Sequence, residues 1–580
     1  MKSRTLPLLK HLTPLEKRVI AAARRGTWTQ PDTVLPMKEL LVADSRDVRV
    51  RAELIRELLM GHRGELDLHP LGIRGVRIVG LLDLDHIVSV TGLRLNECAL
   101  PDGMNAAHAQ LGTLSLSDSH VSGLDAENLR TEGSVFLRHS TVSGTSEFGA
   151  VRVTGALIGG VLDLDGAVIT NDRGPALHAD VLRTEQHMWL RDATMTGSDD
   201  LGAVRLHGAQ LGGQLGLDGS MITNDRRPAL HAERLRTSDI FMNNTTMTGN
   251  SELGAVRLTG AQLRGHLELD DAVLSNDSGP ALDAEDLHSD DVYLRDTTVT
   301  GAGERGAVLL IGARIDGQMQ LNGSRIEDKS RRLIRLNEVK VTGTLSLPAS
   351  VVCPNGRTDT PLRGCPDSER KIDIDGLAFS RLADVSWEQW LHLLTHHTFT
   401  YLPQPYQQLA AVERAAGHDN NARHILITQQ DDLRRRAPES LGGRLAQARH
   451  WLWGWLGRYG YRAHRLVIAL TLVLTLAIGV GMIAGHVPTR PGHHAAERVP
   501  PAITPTTTAG VPCSPVELIG LGLDRGLPLG PTGLRTRCDF DTATGWGQTF
   551  IVAIWTLQAL VWALATLTIA AYTGLVRKPS

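Results

Sequence analysis

The sequence predicts a mostly β protein, a right-handed parallel β-helix carrying an N-terminal helical cap, a helical connector and two C-terminal transmembrane helices. Two observations carry this reading. Gly149-Ala150-Val151-Arg152 returns as Gly202-Ala203-Val204-Arg205, Gly254-Ala255-Val256-Arg257 and Gly306-Ala307-Val308-Leu309, a repeat of 52 or 53 residues. Pro175-Ala176-Leu177 returns with the same steps as Pro228-Ala229-Leu230 and Pro280-Ala281-Leu282. Self-similarity at a fixed period marks a stacked, quasi-one-dimensional fold. The second observation is a pair of charge-free apolar runs, Leu466–Gly485 and Phe550–Val576. Each is long enough to cross a hydrocarbon core, which takes about 20 helical residues. The expected organisation is a cap over 1–68, the β-helix over 69–385 and an Arg-rich connector over 386–464. Spans over 465–487 and 549–576 follow, separated by an extracytoplasmic loop over 488–548 and ending in a tail over 577–580.

Within the repeats the apolar residues come in short pulses. Val256-x-Leu258, Leu267-x-Leu269, Ala281-Leu282 and Val292-x-Leu294 show the pattern, followed by Ala261-x-Leu263, Ala272-Val273-Leu274, Ala284-x-x-Leu287 and Thr297-x-Val299. Period-2 alternation over three to five residues fits strands with one face buried, and the three-to-four spacing of helices is absent. Asn171-Asp172, Asn224-Asp225 and Asn276-Asp277 supply sharp corners. Without crossover helices a doubly wound sheet is excluded. One 52-residue unit accounts for two coils of four short faces plus corner insertions. The pattern resembles the pentapeptide-repeat family and its looser bacterial relatives over roughly half the chain, with the five-residue motif broken by insertions such as 300–305. That resemblance implies an irregular β-helix.

Helices should close the ends. Thr13 caps a helix over 13–26, with Pro14 in its first turn and Gly26 as its stop. A second helix, Arg46 to Met60, would place Val50, Leu54, Ile55, Leu58 and Leu59 on one face, the two forming a lid over the first coil's open edge. Ile372-x-Ile374 and Leu377-x-Phe379 read as last coils. Ser386 then caps a helix to His397, and further helices follow over Gln404–His418 and Asn420–Arg436.

Membrane orientation follows from arginine. Arg434, Arg435, Arg436, Arg444, Arg449, Arg458, Arg462 and Arg465 precede the first span, while Arg577 and Lys578 follow the second. Positive flanks favour the cytoplasm, so both termini and the β-helix are expected inside a bacterial cell membrane. Arg outnumbers Lys, of which there are 8 among 60 basic residues, as in the GC-rich genomes of actinomycetes. No apolar stretch follows Met1-Lys2-Ser3-Arg4-Thr5, which predicts no secretory signal. Trp451, Trp453 and Trp455 join those arginines as a membrane-surface anchor worth about 1 kcal/mol per basic residue near anionic lipid.

The net charge of −3 does not call for a nucleic-acid partner. Residues 250–301 hold eleven acids against three Arg, and Glu268, Asp270, Asp271, Asp283, Glu285, Asp286, Asp290 and Asp291 form a candidate acidic docking face. Cys513 and Cys538, in the outer loop, form a candidate disulfide. Cys353 and Cys365, eleven residues intervening, are expected as free cytoplasmic thiols. His178 and His231 lie two coils apart, about 9–10 Å, too far to share one metal. His396-His397 is set aside because adjacent helical residues diverge and no Cys or carboxylate accompanies them.

No P-loop, G-x-S-x-G elbow or H-E-x-x-H is present, and Gly520-x-Gly522-x-x-x-Gly526 has the wrong spacing for a dinucleotide. Cap, loose repeats, Arg-rich connector and two spans together resemble actinobacterial proteins labelled membrane-associated oxidoreductases. The resemblance spans nearly the whole chain and brings no nicotinamide, flavin or haem motif onto any position. The expected function is a non-catalytic scaffold, anchored in the lipid bilayer, whose β-helix docks a partner protein. No catalytic, cofactor or metal residue and no small-molecule substrate is assigned. The alternative is an oxidoreductase, whose chemistry would rest on Cys513 and Cys538. Mimicry of DNA against a topoisomerase fits less well, because only one repeat is strongly acidic.

Overall fold

The computed structural model describes residues 8–198, 200–356, 365–462, 464–499, 509–526 and 537–573. The chain forms two units, Met1–Ala416 and Gly417–Ser580.

The first unit is a parallel β-solenoid with four faces. In the coil from Val168, the faces are Val168–Asn171, Leu177–His178, Arg183–Thr184 and Met188–Trp189. The first two faces each stack into a twelve-stranded sheet, and the third and fourth share one of twenty-two strands. Register places like on like: Ile169 on Met195 on Ile222, Leu177 on Val204 on Leu230. Inward side chains such as Leu177, Met188, Ile222, Leu230 and Leu267 are fully buried, each worth about 1.5–3 kcal/mol over exposure.

The 52-residue period has a specific origin. Ala99, His120 and Thr141 stand in register 21 residues apart, so the early coils are short. From Thr141 onward the coils lengthen to 25–27 residues, because the corner between the first and second faces gains an insertion. Two corner designs alternate. In one, the buried side chain of Asn171, Asn224 or Asn276 donates to the carbonyl of Pro175, Pro228 or Pro280 at 2.9, 3.0 and 2.6 Å. In the other, Gly197 passes so close to the next segment that a Cβ would stand 2.8 Å from the Ala203 Cα, and Gly202 adopts φ +143°. Gly149, Gly254 and Gly306 repeat that backbone, so the Gly-Ala-Val marker is one corner type seen every second coil.

The arginine closing the marker has its own partner. Arg152 reaches Asp125 and Glu127 on the preceding coil, Arg205 reaches Asp180, and Arg257 reaches Glu233. Leu309 breaks the marker, and there Arg305 pairs with Asp283 and Glu285 instead. Burial works to raise the Asp180 carboxyl, but His178 at 3.1 Å and the Arg205 guanidinium outweigh it and hold it at about 2.

At the N-terminal end, α1 (Pro14–Ala23) starts on a capping box in which Thr13 accepts from the Glu16 amide at 3.1 Å. A single turn, α2 (Met37–Leu40), follows, and then α3 (Ala52–Leu59). The helix expected over 46–60 is therefore shorter. Arg49–Arg51 is a strand paired with Arg77–Val79, and Val50 is fully buried. The alternating Arg-Val-Arg suits a strand, and Glu16 takes the Arg51 guanidinium at 2.6 Å. Burial opposes ionisation of Glu16, yet Arg51 and the Thr13 amide keep its pKa below the usual value. The first coil's edge is thus covered by a strand as well as helices.

At the C-terminal end come α4 (Ala349–Val352), the last coil strands Lys371–Asp373 and Ala378–Leu382, α5 (Trp387–His396) and α6 (Pro403–Ala415). Ser386 and Gln389 make the capping box that starts α5.

The second unit contains α7 (Asp419–Arg436), α8 (Arg444–Gly457), α9 (His464–Ala484), α10 (Pro515–Gly526) and α11 (Gly545–Tyr572). By length and composition, α9 and α11 can cross a membrane. The segment expected as a plain loop carries two short antiparallel strand pairs and α10. Gly481 and Gly522 let α10 lie directly on α9: a Cβ on either would stand 2.6 Å from a carbonyl of the other helix. Residues 574–580, with Arg577 and Lys578, lie outside the described residues.

Two outcomes are expected. Asp180→Asn should lower stability at neutral pH by about 2 kcal/mol. The folded carboxyl titrates below its unfolded value of 3.8, so this contribution is full above that pH and vanishes as pH falls through about 2. Denaturation of wild type and variant at pH 7 and near pH 2 should show the gap closing in acid. Gly202→Ala forces a side chain into the left-handed region and should cost about 1–3 kcal/mol in the same assay.

Candidate functional site

Outward side chains of the third face form a single ladder. Gln110, Arg130, Leu157, Arg183, Gln210, Arg236, Gln262, His288, Arg314 and Lys340 are ten consecutive rungs in register, all exposed. At the usual strand spacing they extend about 43 Å. Its rungs from Gln110 to His288 line two adjoining depressions of 510 and 730 Å³ that share Arg183 and Glu185. Their floor is low because Gly159 and Gly212 press on the carbonyls of Glu132 and Glu185, leaving 2.2 and 2.1 Å for a Cβ. Among the described residues, no carboxylate lies within 4 Å of the guanidinium of Arg130, Arg183, Arg236 or Arg314. Glu132, Glu185 and Asp290 border the groove as exposed acids. Sequence reasoning missed this ladder, although from Arg183 to Lys340 a basic or amide residue recurs every 26 or 27 positions.

The candidate acidic face is not one surface. Glu268 and Asp291 lie on the fourth-face strands, and Asp291 sits 3.0 Å from His266. Asp283 is buried on the second face, paired with Arg305 at 3.3 Å, and Arg305 also takes Glu285 at 2.6 Å. Asp270 is engaged by Arg295. Asp271 and Asp286 occupy corners with φ +56° and +54°. Short polar side chains tolerate that left-handed conformation, so part of the acidic excess is corner chemistry. Asp290 faces the groove.

His178 and His231 stand two coils apart, as expected, with Arg205 between them in register. His231 stacks edge-on with His207, one coil away, at 5.6 Å, and both approach Glu233. Glu233 is already taken by Arg257, which leaves the trio poorly suited to a cation. Asp85, His86 and His108 also converge, with both histidines exposed.

A fourth cluster lies at the C-terminal end of the solenoid. Cys353, Cys365, His392 and His397 bring one ligand atom each within 4.8 Å of one another, and all four are buried. The free thiols expected at 353 and 365 are instead joined to each other. No cysteine is near His396-His397 in sequence, but folding brings two to His397, with His392 as the second imidazole. Arg370 fixes the segment before Cys353 by donating to the carbonyls of Val352 and Ile326 at 2.8 and 2.7 Å. His397 Nδ1 donates to the Arg370 carbonyl at 2.7 Å, so its Nε2 is the unprotonated nitrogen. Burial drives the His397 pKa down to about 4, which keeps the ring neutral. Gly356 presses on the sulfurs: a Cβ there would stand 2.0 Å from Cys353 Sγ.

In the second unit the membrane-surface set divides. Asp431 gathers Arg434 at 3.8 Å, Arg458 at 3.1 Å and the Tyr459 hydroxyl at 2.9 Å. The fully buried Asp432 holds Arg435 and Arg436 at 3.2 and 3.3 Å. Arg444, Arg449, Arg462 and Arg465 are exposed. Trp451 and Trp455 project outward with 54% and 66% of their surface exposed, whereas Trp453 packs on Leu466 and Leu564. Cys513 and Cys538 are joined, 25 residues apart.

Compared with protein families, curated proteins and solved structures, the chain matches no family model, no curated protein and no solved structure. The site therefore rests on its own geometry.

Closing a loop of 25 residues stabilises by about 3 kcal/mol in the chain-entropy model. Cys513→Ser is therefore expected to lower the thermal midpoint of the detergent-solubilised second unit without shifting that of the solenoid, as read by differential scanning calorimetry.

Proposed function

We propose that the chain is a membrane-anchored, non-catalytic scaffold whose solenoid offers the third-face groove to a partner protein. The observation that carries this reading is the exposed ladder from Gln110 to Lys340, in which four arginines keep their charge uncommitted. Side chains held at fixed 4.7–4.9 Å steps suit an extended polypeptide: the arginines pair with carboxylates, and Gln110, Gln210 and Gln262 hydrogen-bond main-chain amides. A rigid surface also binds without the ordering cost that a flexible one carries.

The anchor belongs to the same reading. Helices α9 and α11 cross a bacterial cell membrane as a multi-pass pair, with both termini and the solenoid in the cytoplasm. The arginines around α8 support that orientation, since cytoplasmic flanks carry the positive excess. The exposed Arg444, Arg449, Trp451 and Trp455 rest α8 on anionic headgroups. Confining the groove to the bilayer raises the local concentration of any partner that shares that membrane.

A photo-crosslinking residue at Gln210 should capture a defined partner from intact membranes, while one at Thr196 on the first face should not. Replacing Arg183, Arg236 and Arg314 together by Glu should abolish the Gln210 product, with membrane retention and circular dichroism unchanged. Equal capture by both positions, or by the charge-reversed variant, would exclude the groove as the docking surface.

A further inference from the structure

We propose that Cys353, Cys365, His392 and His397 form a tetrahedral site for a zinc-class divalent cation, which closes the C-terminal end of the solenoid. The site is independent of the groove and of the docking reading.

Four observations converge. The ligand atoms lie within 4.8 Å of one another, while ligands around a tetrahedral zinc stand about 3.3–3.8 Å apart, so less than a rotamer adjustment separates the two. The set of two sulfurs and two imidazoles is that of structural zinc sites, and His392 and His397 fall within their usual histidine spacing. The Nε2 of His397 is buried without a hydrogen-bond partner, while its Nδ1 donates to the Arg370 carbonyl. A metal-ligating histidine characteristically donates its other ring nitrogen to a carbonyl or carboxylate, which fixes the tautomer and points the lone pair at the ion. The Cα atoms of Cys353 and Cys365 are 7.3 Å apart, beyond the about 4.4–6.8 Å usual for a disulfide.

The bonded sulfurs in the structure stand for the thiolate pair. A dithiol-class reductant breaks the Sγ–Sγ bond, giving two electrons and two protons to the sulfurs and becoming a disulfide itself. Zinc then displaces the two thiol protons to solvent. Two thiolates balance the dication, so the centre is neutral, as a buried position requires. Hard cations such as magnesium and calcium take oxygen ligands and do not suit this set.

The location gives the ion a structural role. Cys353 ends α4, His392 lies on α5 and His397 follows it. The Ile372 amide donates to the His397 carbonyl at 2.7 Å, and Lys371 Nζ donates to the His396 carbonyl at 2.8 Å. The ion would cross-link α4, the Cys365 segment and α5 where the last coil ends.

The test uses the full-length chain in detergent, reduced with a phosphine, loaded with zinc sulfate and dialysed against metal-free buffer. Elemental analysis should find about one zinc per chain. Cys353→Ser and His397→Gln should each fall close to none, and Cys513→Ser should keep the full load. Cobalt substitution should give intense visible bands of tetrahedral geometry and a near-ultraviolet thiolate charge-transfer band, both lost in Cys353→Ser. Because a variant can lose metal by misfolding, each is compared by circular dichroism, and the cobalt spectrum of the wild type stands without any variant. A reduced wild-type chain that retains no zinc, an octahedral cobalt spectrum, or full zinc in a folded Cys353→Ser protein would overturn the site.

Discussion

The first unit depends on backbone hydrogen bonding between successive coils. Most strands are two to four residues long, far too short to be stable alone, and those inside the stack find both of their neighbours one coil away. Every position must therefore tolerate its own likeness about 4.8 Å above and below. Inside, this selects Leu, Ile, Val, Met and Ala, which stack into a continuous apolar column. At corners it selects residues that accept a left-handed backbone, so Asn128, Asp192, Asn244, Asp271 and Asp296 share that conformation with Gly155, Gly166 and Gly208. Along the third-face ladder Arg183, Gln210, Arg236 and Gln262 alternate, which separates those cations by two coils, whereas Arg314 and Lys340 stand on adjacent rungs.

That constraint also explains what was legible in the sequence. The pulses around Val256, Leu267, Leu282 and Val292 are periodic because the strands stack, and both their existence and their spacing could be read directly. Thr13 and Ser386 announced helix starts through local chemistry that needs no tertiary context. The segment Arg46–Arg51 misled because Val50 satisfies a helical face as well as a strand, and only the neighbouring Arg77–Val79 strand decides between them. Residues on the solvent side were harder to read. A ladder such as Arg130, Arg183, Arg236 and Arg314 carries no signal within any single repeat. It stands out only when successive coils are compared position by position. The acidic excess over 250–301 misled in the opposite way, since proximity in sequence spread those residues over several faces and corners.

The Cys/His cluster shows a further limit. Its members come from α4, from the segment before the last coil and from the end of α5. Cys353 and His397 are brought together only when the chain folds back over the terminal coil. Sequence spacing argued against a metal because the eleven residues between the cysteines match no compact motif. Three-dimensional convergence is set by where the solenoid stops, and that information is spread over dozens of residues.

A solenoid has two ends, and each must satisfy a row of backbone groups that have no further coil to meet. An unprotected edge would recruit strands from other molecules. The N-terminal end is closed by the strand Arg49–Arg51, with α1 and α3 above it and Glu16 joining the helix cap to Arg51. Here the closure is itself a strand, so the ladder is terminated in its own currency of hydrogen bonds. At the C-terminal end, among the described residues, the coil segments Lys371–Asp373 and Ala378–Leu382 carry register shifts, and Thr398 adds an isolated bridge to Ile372. What the backbone does not complete, side chains must hold. Arg370, Lys371 and His397 each bind main-chain carbonyls there, and the four buried sulfur and imidazole groups sit in the same place. Buried polar groups concentrate where the repeating pattern ends because repetition can no longer supply their partners. A non-repeating cross-link at that point follows from the same stacking rule that builds the rest of the solenoid.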